Sequence, residues 1–70
     1  MAEVLSEMVA NVWKVLVKAG DTVSEGDVLV ILESMKMEIP VESPQGGTVT
    51  RLAVEEGSTV QDGDVIAVVE

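Results

Sequence analysis

Four apolar runs recur along the chain, at residues 12–17, 28–32, 49–54 and 65–69, separated by short stretches rich in charged residues and glycine. Runs of this length, rich in valine and bounded by turn residues, predict β-strands. No helical stripe forms, because a glycine or proline interrupts every 3.6-residue apolar period within one turn. Two turn signals follow in a fixed order. Lys18-Ala19-Gly20-Asp21 and Glu55-Glu56-Gly57-Ser58 each close an apolar run, and Gly20 and Gly57 are expected at positive φ. Glu25-Gly26-Asp27 and Asp62-Gly63-Asp64 supply the second turn. Between the two turns lies a Thr-Val pair, enough only for a very short strand.

The order of elements repeats because the sequence does. Shifted by 37 residues, 1–33 lies over 38–70 without a gap, and eleven of the 33 aligned positions are identical. Among them are Val4/Val41, Ser6/Ser43, Gly20/Gly57, Val23/Val60, Gly26/Gly63 and Asp27/Asp64. Two halves of four short strands predict an all-β fold: a flattened eight-stranded barrel or sandwich, with the halves interlocked about a pseudo-twofold axis. Such an axis places the link between the copies at one pole and both chain termini at the other. Comparing the copies also sorts the faces. Val12/Val49, Val15/Leu52 and Val17/Val54 stay apolar and are expected inward, whereas Trp13/Thr50, Lys14/Arg51 and Leu16/Ala53 change character and are expected outward. Inward spacing of three and then two predicts a β-bulge near residues 13–14. Pro40 and Pro44 bring no ladder donor, so their segment is expected at a sheet edge or a strand end.

Composition agrees with this reading and narrows the chemistry. Fifteen of the 70 residues are valine, and Phe and Tyr are absent. One small domain is expected, and a chain this short buries only ~60% of its unfolded surface. The lack of cysteine removes disulfides and thiolate metal sites and fits a reducing compartment; the lack of histidine removes the commonest metal ligand and general base. With acids scattered over turns and no pocket expected in so small a barrel, a stand-alone enzyme is not expected. The net charge of −9, with four dispersed basic residues, argues against nucleic-acid binding. The acidity suits solubility, or steering toward a basic partner surface. No apolar run approaches the ~20 residues of a membrane helix. Residues 1–10 carry Glu3 and Glu7 and no basic segment, so no signal peptide is expected and the reading is cytoplasmic.

Only Ser34, Met35, Lys36 and Met37 fall outside the two copies. So short a link predicts a tight hairpin, with Ser34 and Met37 flanking a Met35-Lys36 loop. Two-residue hairpins favour turns whose central residues have positive φ, and neither Met nor Lys suits that conformation. The local rule is thus broken where the repeat is broken, and such conflicts mark functional positions. A lysine at a hairpin tip is ordinarily just solvated. A methionine on either side of it, at an exposed tip, points instead to an adaptable contact surface. Met8 fits ordinary core filling better.

The stretch Glu33-Ser34-Met35-Lys36-Met37-Glu38-Ile39, followed by Pro-Val-Glu-Ser-Pro-Gln-Gly-Gly-Thr-Val, resembles the attachment segment of biotinyl domains. Gly20-Asp21-Thr22-Val23-Ser24-Glu25-Gly26-Asp27-Val28-Leu29 is similar to another part of the same family. The similarity runs from about Val4 to Val69 and includes small single-domain biotin/lipoyl attachment proteins. Two features depart from the pattern. Ser34 stands where alanine is usual in biotin carriers. No insertion lies between Lys18 and Asp27, so the protruding "thumb" of some carriers is absent, and an attached group is expected to lie free.

The resemblance implies one biotinyl/lipoyl attachment domain over residues 1–70, with halves 1–33 and 38–70 and the hairpin at 34–37. It implies that a biotin protein ligase joins biotin to Lys36, with Glu33, Ser34, Met35 and Met37 as recognition residues. It further implies a carrier that shuttles carboxybiotin between biotin carboxylase and carboxyltransferase. No residue is placed to activate the amine, so activation is expected from the ligase. Lys14 and Lys18 compete only if tip geometry does not select the site. A lipoyl carrier, loaded by a lipoate ligase, is the near alternative, or a substrate for both modifications. Lipoyl domains usually carry Asp-Lys-Ala at the hairpin, so the flanking methionines favour biotin. An unmodified assembly module is a remote third reading, because such modules insert a long helical hairpin where four residues stand here. The copies fill the chain, so it reads as a free subunit or as the excised end of a longer one.

Overall fold

The computed structural model describes residues 2–70. Eight strands follow one another: β1 (Ala2–Leu5), β2 (Ala10–Val15), β3 (Thr22–Val23), β4 (Val28–Ser34), β5 (Met37–Glu42), β6 (Gly47–Leu52), β7 (Thr59–Val60) and β8 (Val65–Val69). No helix occurs among the described residues, so none there is long and apolar enough to cross a membrane. The strands form two antiparallel four-stranded sheets, ordered β1-β8-β6-β3 and β5-β4-β2-β7. Each sheet therefore takes two strands from each copy, which is the interlocking the repeat predicts.

The pseudo-twofold relation holds pair by pair. Ala2 faces Val69 as Ile39 faces Leu32, and Leu52 faces Ala67 as Val15 faces Val30. The predicted bulge lies between Val12 and Lys14, and its counterpart between Val49 and Arg51. Strands β2 and β6 begin earlier and end earlier than the apolar runs. Ala10 and Asn11 are drawn in because they pair with β7 as well as lying beside β4. Beyond the strand ends, Leu16 N–H still donates to Leu29 O and Ala53 N–H to Ile66 O.

The copies are sewn together through their turns. Gly20 N–H donates to Val49 O and Gly57 N–H to Val12 O. Gly26 N–H donates to Ser43 O and Gly63 N–H to Ser6 O. Ser6 and Ser43 are buried, and each hydroxyl donates to a carbonyl two residues on, Met8 O at 2.7 Å and Gln45 O at 2.6 Å. These satisfied hydroxyls explain why serine stands at both positions in an otherwise apolar setting.

The core draws on both copies: Val12, Val23, Leu29, Val30 and Leu32 from the first, Val49, Val60, Ile66, Ala67 and Val69 from the second. Val12, Val49 and Val54 are fully inward as expected, while Val15, Val17 and Leu52 are half-buried against the core. Trp13, Lys14 and Leu16 face outward, and the Lys14 ammonium lies 5.5 Å from the Trp13 ring centre. Pro40 sits on β5, an edge strand, and Pro44 just beyond its end, so neither removes a ladder bond from the sheet interior.

The molecule is elongated, 31 × 18 × 17 Å. Strand β4 sets the direction. Its first residue, Val28, pairs with Glu42, close to Gln45, whose side-chain amide donates to Val69 O. Its last residue, Ser34, pairs with Met37 at the hairpin. Val69 and its partner Ala2 therefore lie at the end opposite the hairpin, as the symmetry predicts. Met1, the formal counterpart of Glu38, lies outside the described residues.

Candidate functional site

The hairpin joining β4 and β5 is the tightest the chain allows. Glu33 faces Glu38, Ser34 faces Met37, and Met35 and Lys36 alone form the loop. Both loop residues adopt positive φ, 53° and 64°, the only non-glycine residues among those described to do so. A side chain there crowds its own backbone and costs about 1 kcal/mol or more. The rung below adds a second cost: two exposed carboxylates stand directly opposite each other, a pairing that weakens a ladder.

The tip is open. Met35 is 92% exposed and Met37 63%, and Lys36 is exposed between them. Two thioether side chains in water on either side of one ammonium form a small apolar collar that a partner can cover. Ser34 behaves differently from its neighbours. It is half-buried, and its hydroxyl donates to Val9 O at 3.4 Å, tying the hairpin base to the segment between β1 and β2. The structure thus places Glu33, Met35, Lys36 and Met37 together on an exposed tip, with Ser34 half-buried beneath it. Lys14 and Lys18 lie elsewhere: Lys14 within β2, and Lys18 in the turn where its N–H donates to the Asp21 carboxylate.

One expectation is corrected. A barrel of this size was expected to hold no pocket, yet a cavity of about 340 Å³ opens between the two facing edge strands, β1 and β5. Those edges have no ladder partner on their outer sides, so the sandwich stays open along that seam. Met8, Leu32 and Ile39 line it. Met8, expected as core filling, packs against the core and also lines the cavity. Its counterpart in the other copy is Gln45.

Known proteins place this arrangement. The family model described as "Biotin-requiring enzyme", for biotin/lipoyl domains, matches residues 1–69. The "Biotinylated protein TB7.3 homolog" of Mycobacterium leprae is 55% identical over 53 residues, 74% of this chain and 75% of that protein. The "Biotin/lipoyl attachment protein" of Bacillus subtilis is 54% identical over 43 residues, 61% of this chain and 59% of that protein. Urea carboxylase from Kluyveromyces lactis contains a similar unit: TM-score 0.91 and 33% identity over 99% of this chain, but 6% of that much longer one. The chain belongs to the biotin/lipoyl attachment family.

The tip fits a covalently held group of that kind. Amide formation needs a primary amine that another enzyme's active site can surround. Lys36 offers one at the apex of a two-residue turn, exposed together with Met35 and Met37 on either side of it.

Proposed function

We propose that this chain is a biotin carrier in which the prosthetic group is held as an amide on Nζ of Lys36. One observation carries the reading: the only stretch that interrupts the repeat places Lys36 at an exposed apex between Met35 and Met37. In the attachment step the Lys36 amine attacks the activated carboxyl carbon of biotinyl-adenylate. A C–N bond forms, AMP leaves and the amine loses a proton. The nucleophile must be the neutral amine. The tip holds no histidine or other group suited to take that proton, so a biotin protein ligase supplies it. Met35 and Met37 give the ligase apolar contact, Glu33 gives it charge, and Ser34 holds the base of the turn.

When bound, the biotin ring supplies a ureido nitrogen that carries CO₂. The chain itself contributes a stable framework, a raised tip and an acidic, soluble surface. Its partners in this reading are biotin carboxylase and carboxyltransferase, met in the cytoplasm. A second reading, lipoate on the same lysine, is supported by the name of the Bacillus subtilis relative, which covers both groups. The intact mass of the protein from its native host separates biotinamide from lipoamide.

The decisive experiment is a streptavidin blot of wild type and Lys36→Arg expressed with a biotin ligase. Signal is expected from wild type alone. Equal signal from both overturns the assignment of Lys36.

A further inference from the structure

The cavity between β1 and β5 is unevenly placed, and its position bears on the hairpin. It straddles the pseudo-twofold axis, yet its lining is not symmetric. The paired Val4 and Val41 both line it, but Met8, Leu32 and Ile39 do so without their repeat mates Gln45, Val69 and Ala2. The apolar lining therefore extends further toward the hairpin pole than away from it. Ile39 lies three residues beyond Lys36 on the strand that leaves the turn, a span of about 10 Å at ~3.3 Å per residue. A lysine side chain joined to biotin's pentanoyl arm is longer than that. Met37, Ile39 and Val41 alternate onto one face of β5, and Ile39 and Val41 line the cavity, so apolar side chains lie between the tip and the cavity.

The rim has the opposite character. Glu3, Glu7 and Glu42 stand around the opening, all exposed. Carboxylates accept hydrogen bonds and repel anions. A neutral bicyclic urea presents two N–H donors on one side and an apolar thioether ring on the other, which matches a carboxylate rim over an aliphatic floor.

We propose that this cavity is a parking site for the ring of the chain's own prosthetic group, reached from Lys36. The inference rests on biotin being the group held there. It also carries a built-in release. Carboxylation of a ureido nitrogen replaces one N–H donor with a negative charge. Both changes oppose docking against three glutamates, so the neutral ring parks and the charged ring swings free.

The test compares unmodified and biotinylated protein, with modification at Lys36 established by intact mass and peptide mapping. Biotinylation is expected to shift the NMR methyl signals of Met8, Leu32 and Ile39 as well as the amides of the hairpin. In the half-buried pair Met8→Ser/Ile39→Ser the shift at Leu32 disappears while modification persists. Streptavidin then captures that variant about three to ten times faster than the wild type, because the fraction of free ring rises. If the variant proves unfolded, the wild-type methyl shifts decide alone. Shifts confined to residues 34–38, in protein that is fully biotinylated, overturn the parking site and leave the carrier reading intact. Absence of any biotin on Lys36 overturns both.

Discussion

The framework turns and the hairpin tip solve the same backbone problem with different residues. Gly20 and Gly57 take φ values of 100° and 90°; Met35 and Lys36 take 53° and 64°. At Gly20 and Gly57 nothing lies within 4 Å of where a Cβ would stand, so glycine is there for the backbone conformation alone. Its amide then reaches across to the other copy, to Val49 O or Val12 O. At the tip the left-handed conformation also disfavours a side chain, though less than at the glycines, yet side chains are kept, with opposed glutamates one rung below. Where only shape is needed the chain uses glycine. In the proposed role the apex presents an amine and two thioethers, and there the chain accepts the strain, with the packed sheets holding the turn in place.

This contrast can be broken in order of effect. The largest change is expected when the amine moves by one position. Met35→Lys/Lys36→Ala keeps a lysine on the same tip but aims it differently, and its biotinylation is expected to fall to background by mass spectrometry. Labelling at the wild-type level would mean that a lysine anywhere on the tip suffices. Next is Gly57→Ala, which leaves the tip alone and strains the framework. It should cost about 1–2 kcal/mol in denaturant unfolding with no change in labelling rate; unchanged stability would remove the backbone explanation. The smallest is Met35→Asn, which places a residue tolerant of positive φ at the apex. It should raise stability by about 0.5–1 kcal/mol while slowing the ligase. A variant that is both more stable and labelled at full rate would show that Met35 is not retained for recognition.

The fold was largely legible because the chain states it twice. Identity at Gly20/Gly57 and Gly26/Gly63 located the turns, and divergence at Trp13/Thr50 and Leu16/Ala53 marked the outer face. The odd spacing of Val12, Val15 and Val17 announced the bulge that β2 and β6 both carry. The hairpin was legible for the opposite reason, as the one stretch with no mate. Equal treatment of the copies hid the rest. Gly47 aligns with Ala10, but an added Cβ at Gly47 would overlap the Glu70 backbone, a close approach the alignment does not show. Ser34 flanks the loop opposite Met37 as expected, but nothing local showed that its hydroxyl reaches Val9 O.

By itself the sequence determined what depends on neighbours along the chain: strand periods, turn glycines, the bulge, the edge prolines and an asymmetric Met-Lys-Met apex. These follow from local dihedral preference and from the two-residue alternation of a strand. Tertiary structure alone decided which copy's carbonyl each turn amide reaches, how far β1 stands from β5, and that a cavity opens between them and reaches toward the hairpin. Those distances come from how the whole valine-rich core settles, and no local pattern encodes a gap between two edge strands more than thirty residues apart.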